Sequence, residues 1–224
     1  MGHHEAHGRE VTSTAEAAEY GRKLFAQECR FVMGAAEGGD LPPDRLPEVA
    51  FAGRSNVGKS SLVNALTGRR TLARISNTPG RTRQVNFFDL GGRLMLVDLP
   101  GYGFARAPKT DIHRWTTLLR DYLRGRVGLR RVCLLVDARH GLKEGDREMM
   151  DLLVEAAVPF RVILTKADKM KAGPLAEMIG AVEADLRRYP AAMPEVLVTS
   201  ARDGVGVVEM RADLAVLAAP ERLG

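Results

Sequence analysis

One stretch constrains this chain more than any other. Gly53-Arg54-Ser55-Asn56-Val57-Gly58-Lys59-Ser60 matches Gly-x-x-x-x-Gly-Lys-Ser/Thr. It follows the apolar run Val49–Ala52 and opens the helical stretch Ser60–Leu66. A strand, a glycine loop and a helix in that order form a phosphate cradle. The glycines let backbone N–H groups turn inward onto phosphate oxygens, and the helix N-terminus adds a favourable field. Lys59 can reach the β- and γ-phosphates, and Ser60 can offer its hydroxyl to Mg²⁺. The whole loop, Gly53, Arg54, Ser55, Asn56, Val57, Gly58, Lys59 and Ser60, is therefore expected to bind nucleotide.

The rest of the chain fits the fold that such a loop requires. Short apolar runs at Val49–Ala52, Leu94–Val97, Val132–Val136, Val162–Leu164 and Val196–Val198 alternate with stretches of helical spacing. Those stretches carry Ile112, Trp115, Leu119 and Tyr122, then Met149, Leu152, Leu153 and Ala156, then Leu175, Met178, Ile179 and Val182. Continuous apolar strands alternating with helices predict a mostly parallel sheet covered on both faces. Gln84–Leu90, Gly91-Gly92 and Arg93–Val97 read as a hairpin, which adds one antiparallel edge strand. The fold class is α/β, a three-layer P-loop NTPase of the Ras-like GTPase type. Leu24, Phe25, Cys29, Phe31 and Val32 have roughly helical spacing, so 13–33 is read as helix. The expected organisation is a tail at 1–12, an N-terminal helix and linker at 13–46, a nucleotide-binding domain at 47–218 and a tail at 219–224.

Three further segments fall at strand ends, where α/β folds bind ligands. Asp98-Leu99-Pro100-Gly101 closes one strand; Asp98 is placed to partner Mg²⁺ directly or through water, and the Gly101 N–H to touch a γ-phosphate. Thr165-Lys166-Ala167-Asp168 closes another and is a variant of Asn-Lys-x-Asp. A carboxylate at Asp168 can accept from guanine N1–H and the 2-amino group together. Adenine offers neither donor at those positions, so it would leave the carboxylate unpaired. Lys166 can lay its stem along the base, and Thr165 stands where asparagine is usual. Thr199-Ser200-Ala201 closes the last strand, with the Ala201 N–H aimed at guanine O6. A loop after the first helix holds both Thr78 and Thr82 as candidates to complete the Mg²⁺ shell.

Composition adds limits. The chain has 224 residues, 45% apolar and 27% charged, as an ordinary globular domain does. It has no apolar run of about 18 residues, so no membrane span is expected, and MGHHEAHGRE is not a secretory signal. Cys29 and Cys133 are its only cysteines and read as buried thiols of a reducing, cytoplasmic compartment. His3, His4 and His7 read as tail residues. The net charge is +5. Between Gly68 and Phe88 lie Arg69, Arg70, Arg74, Arg81 and Arg83 with no acidic residue, and Pro100–Arg131 holds eight Lys or Arg against Asp111 and Asp121. Such stretches suit a polyanionic partner or serve only as a solvated face.

Taken together, FAGRSNVGKSSLVNALTGRR, LARISNTPGRTRQVNFF, LVDLPGYGFA, LLVDARHGLK and LTKADK resemble the EngB (YihA/YsxC) family of bacterial ribosome-biogenesis GTPases, within the Era/TrmE-like group. The resemblance covers about residues 47–201. It implies that Thr82 is the Mg²⁺-contacting switch threonine, and that Gly80, Arg81, Thr82, Arg83 and Gln84 contact nucleotide. It implies a GTP-hydrolysing switch that binds the large ribosomal subunit, with loss linked to division and septation defects; a monomer is expected. Lys59, Thr82 and Asn56 would carry catalysis and Ser60, Thr82 and Asp98 the Mg²⁺. In related loops an asparagine at the position of Asn56 holds potassium. Tyr102 stands where Ras-type GTPases place the water-orienting glutamine, so intrinsic hydrolysis is expected to be slow. A P-loop ATPase or small-molecule kinase, and an RNA-binding module that merely retains nucleotide, are the competing classes.

Overall fold

A computed structural model of the chain describes residues 14–36, 41–69, 84–102 and 109–218, with backbone alone for 109–115. The elements run α1 (Thr14–Phe25), β1 (Cys29–Ala35), β2 (Glu48–Gly53), α2 (Lys59–Thr67), β3 (Val85–Leu90), β4 (Leu94–Asp98), α3 (Lys109–Gly125) and β5 (Leu129–Asp137). Then come α4 (Glu144–Glu155), β6 (Phe160–Thr165), a 3₁₀ turn at Ala167–Lys169, α5 (Ala172–Leu186), β7 (Leu197–Val198) and α6 (Val207–Ala215).

The strands form one sheet in the order β1-β3-β4-β2-β5-β6-β7. β4, β2, β5, β6 and β7 are mutually parallel, and β3 runs antiparallel to both β4 and β1. Every residue of β2 is buried, as a central strand covered on both faces requires. Its side chains alternate between two cores. Ala50 and Ala52 face Leu119, Tyr122, Met149, Leu153 and Val182 from α3, α4 and α5. Val49 and Phe51 face Leu24, Leu62, Leu66, Met210 and Leu214 from α1, α2 and α6. Because β4 and β5 flank β2 on opposite sides, the chain departs in both directions from it, and the crevice above its C-terminal end is the switch point of the sheet.

The expected mostly parallel sheet and its hairpin are present. Gly91 and Gly92 both have positive φ, 61° and 67°, the backbone that a tight hairpin turn needs. The expectation of helix through residue 33 is overturned: α1 stops at Phe25, and Cys29–Ala35 pairs with β3 from Cys29↔Leu90 to Ala35↔Val85. A short apolar run fits both periods. Here the pairing decides, with Phe31 edge-on to Phe88 at 5.6 Å. Helix α6 packs against α1 where Gly21 meets the backbone of Arg211 and Ala212. Cys29 and Cys133 are free, buried thiols, and burial pushes Cys133 up to about 12. Among the described residues no helix is long and apolar enough to cross a membrane, and no His, Cys, Asp and Glu group is clustered to hold a metal.

Candidate nucleotide site

The site lies where β2, β4 and β6 end. β2 runs into the glycine loop at Gly53, and a Cβ there would stand 2.8 Å from Val57 Cγ1. Asn56 and Gly58 both take left-handed backbone, φ 63° and 103°, so the loop coils tightly before α2. Gly58 is the N-cap and supplies no side-chain oxygen to the first turn. Nor does that turn hold an acidic residue. No acidic side chain of that turn therefore competes for its N–H groups and dipole, which suits a phosphate.

Lys59, the first residue of α2, forms an ion pair with Asp98 at the end of β4. Their side chains are only 12% and 10% exposed. In such a setting each charge needs a partner, and the two groups stand ready for the opposite charges of a phosphate and a cation. Ser60 follows in the same first turn. The Asp98–Gly101 turn runs along the loop: the Ser55 N–H donates to the Tyr102 carbonyl at 3.1 Å, and Tyr102 N–H to Gly53 O at 3.4 Å. A Cβ on Gly101 would stand 3.1 Å from Ser55 Oγ. Leu99 is buried and Pro100 partly so.

The other end of the site is a cavity of about 340 Å³ lined by Gly58, Leu62, Thr165, Lys166, Asp168 and Ala201 among others. Thr165 is 4% exposed. Its hydroxyl donates to Val57 O at 2.6 Å, with Val136 O at 3.3 Å. Lys166 takes a left-handed backbone, φ 60°, and its ammonium donates to Asn56 O at 2.6 Å. Ala167 N–H donates to Thr199 O at 3.2 Å, joining the two loops. Asp168 accepts from the Ser200 hydroxyl at 2.9 Å. Desolvation alone would raise its pKa, but the Ser200 hydrogen bond and Lys169 outweigh that and hold the carboxyl below its ordinary value. It is thus an anion facing the cavity, suited to a ligand edge with paired donors.

The structure therefore gathers Gly53–Ser60, Asp98–Gly101, Thr165–Asp168 and Thr199–Ala201 at one end of the sheet. Gln84 lies at the same end, two residues before Asn86, which pairs with Asp98, and its amide stands against Gly34 of β1. Gly80, Arg81, Thr82 and Arg83, with Thr78 and Arg74, lie outside the described residues.

Comparison with known proteins decides the family. Residues 48–166 match the family model described as 50S ribosome-binding GTPase. A protein of Rhodospirillum rubrum described as "Probable GTP-binding protein EngB" is 58% identical over 211 residues, covering 92% of this chain and 91% of that one. Its counterpart in Gluconobacter oxydans is 53% identical, with 92% and 91% covered. This chain belongs to the EngB family of GTP-binding proteins. A crystal structure described as a "probable GTP-binding protein engB" superposes with a TM-score of 0.60 at 25% identity, covering 76% of this chain and 97% of the other. Era of Aquifex aeolicus, bound to GDP and AlF4⁻, superposes at 0.61 with 21% identity, covering 80% of this chain and 58% of that one, and shares the fold. As an EngB-family protein the chain is a P-loop GTPase.

Two contacts in this EngB-family chain were not read from sequence, Tyr102 with Asp146 and Asp137 with Lys166. Tyr102 is 5% exposed and donates its hydroxyl to Asp146 of α4 at 2.7 Å. Burial, reinforced by the Asp146 charge, pushes its pKa well above the ordinary phenol value. The hydroxyl is thus buried and bonded to Asp146. The second contact is that of Asp137, at the end of β5, which binds Lys166 at 2.9 Å. Its sequence signals were a carboxylate closing an apolar strand and its place in LLVDARHGLK, neither of which gave it a role.

Proposed function

We propose that this GTPase is a GTP-dependent switch that binds and assists assembly of the large ribosomal subunit, acting as a cytoplasmic monomer. The observation that carries the nucleotide part is the juxtaposition of Lys59 and Asp98 at one end of the site with the anionic Asp168 at the other. Gly53–Lys59 would wrap the phosphates, with Gly101 against the last of them. Thr165–Asp168 and Thr199–Ala201 would hold guanine. Asp98 and the Ser60 hydroxyl are hard oxygen donors that fit Mg²⁺, with Thr82 as the third. Bound there, the ion would neutralise charge on the phosphate oxygens.

Asn56, exposed on the glycine loop, would take potassium beside the phosphates. Phosphate release in KCl against NaCl, with Asn56→Ala alongside, tests this, and equal rates would refute it. The ribosomal part is supported by the family description and by the arginine-rich stretches Arg69–Arg83 and Arg106–Arg131, whose contacts to rRNA phosphates would weaken steeply with salt. The need for normal division and septation follows from the same reading. Sedimentation of cell extract with GDP or a non-hydrolysable GTP analogue tests it. The protein should follow the large subunit with the analogue, and equal distribution in both would overturn the switch.

A further inference from the structure

Lysine stems are flexible, and holding one in a single place costs rotamer entropy. Lys166 is nonetheless held. Its ammonium donates to Asn56 O at 2.6 Å and to Asp137 Oδ2 at 2.9 Å. Its Cε passes 3.6 Å from where a Cβ on Gly58 would stand, so the stem crosses the glycine loop and forms one wall of the cavity.

Asp137 is itself fixed. It ends β5 directly opposite Thr165 in the β5–β6 register. Arg139 donates to both its oxygens, Nε at 2.9 Å and Nη2 at 2.7 Å, and Arg139 N–H adds a third bond at 3.1 Å. The Asp137 side chain is 12% exposed, against 42% for Arg139 and 29% for Lys166. Burial would raise its pKa, yet Arg139 and Lys166 together hold the carboxyl far below the ordinary value. A mostly exposed ion pair would contribute little. This carboxylate is mostly enclosed, is gripped on one side by a planar guanidinium fork, and points its remaining oxygen capacity at the lysine.

We propose that Asp137 is a positioning residue for guanine-nucleotide affinity: it holds Lys166 across the Asn56 carbonyl, so that the lysine stem is already in place as the surface on which the base lies. The proposal rests on the reading that this cavity takes guanine. Preorganising the wall lowers the ordering cost of binding. Asp137 would act through Lys166 on the base and not on the last phosphate, so GDP and GTP should depend on it equally.

The test is titration of the intact chain with a fluorescent GDP derivative and with a GTP analogue, comparing wild type, Asp137→Asn, Lys166→Met and the double variant. Asp137→Asn should weaken both nucleotides about tenfold, the low end for a charge-assisted hydrogen bond because Lys166 is partly exposed. Once Lys166 is methionine, the Asp137 substitution should cost nothing more, since the two act as a unit. Arg139→Ala, at an exposed side chain, should give a smaller loss in the same direction and serves if Asp137→Asn fails to fold. Wild-type affinity in Asp137→Asn, additive losses in the double variant, or a loss confined to the GTP analogue would overturn the assignment while leaving the guanine reading intact. A wild type that binds no GDP would overturn that reading and the assignment with it.

Discussion

Thr165→Val is the sharpest perturbation of the candidate site, because it deletes one hydroxyl and keeps the side-chain shape. The hydroxyl has a single proton. The 2.6 Å contact to Val57 O is its main bond, and the 3.3 Å contact to Val136 O is a minor branch. Val57 is itself 5% exposed, so water cannot readily replace the lost donor. An unpaired buried acceptor costs about 1–3 kcal/mol. The added methyl recovers up to about 0.8 kcal/mol by burial. With full recovery the net loss is about 0.2–2 kcal/mol, or up to about 8 °C in Tm for a chain of this size. Part of that loss should appear in nucleotide binding, since Val57 lies inside the loop that would wrap the phosphates. The assay is thermal melting with and without GDP, paired with a GDP titration. Thr165→Asn should preserve binding far better, because its amide can donate to the same carbonyl. A Val variant with wild-type Tm and wild-type GDP affinity would refute the claim that this bond braces the loop.

Three other outcomes follow from the geometry. Asp168→Asn should weaken GDP and improve xanthosine diphosphate relative to it, because the hydrogen-bond polarity reverses; competitive binding reads this, and an unchanged preference would exclude Asp168 from base choice. Tyr102→Phe leaves Asp146, 1% exposed, with fewer donors; it should cost about 1–3 kcal/mol in chemical denaturation while GTP hydrolysis per folded molecule stays the same, and a large fall in rate would place the hydroxyl in catalysis. Gly21→Ala sets about 1 kcal/mol of helix propensity gained against overpacking of about 1–3 kcal/mol. The new Cβ would sit 2.6 Å from Ala212 N, a backbone atom that cannot swing aside, so a lower Tm is expected, and a higher one would show that α1 can shift on α6.

What the sequence discloses here is whatever is contiguous. Gly53–Ser60 carries its own strand and helix, and Asp98 and Asp168 each end an apolar run, so their places could be read from neighbours. The pairs that span distance could not. Cys29–Ala35 became a strand through β3, across the intervening glycine loop and α2. Asp146 gains its role from Tyr102, 44 positions earlier, and Asp137 from Lys166, 29 positions later. Helix α6 has weak periodicity of its own. It is fixed by tertiary contacts instead, including Arg211 donating to Leu66 O at 2.9 Å and Ala65 O at 3.0 Å at the end of α2.

The segment proposed to hold the base and the loop proposed to hold the phosphates are joined by backbone acceptors. Thr165 and Lys166 are adjacent, and both end on carbonyls of the glycine loop, Val57 O and Asn56 O. Asp168, three positions on, turns instead to Ser200 in the neighbouring loop. On the proposed reading, base choice and loop bracing would fall to different residues of one short segment. A change at Asp168 can alter which base is accepted while the glycine loop keeps its two braces. A change at Thr165 or Lys166 disturbs the loop as well, so affinity for phosphates and base must fall together. That division also accounts for a threonine serving where asparagine is usual. The position needs a short donor that reaches Val57 O, and a hydroxyl at 2.6 Å supplies it.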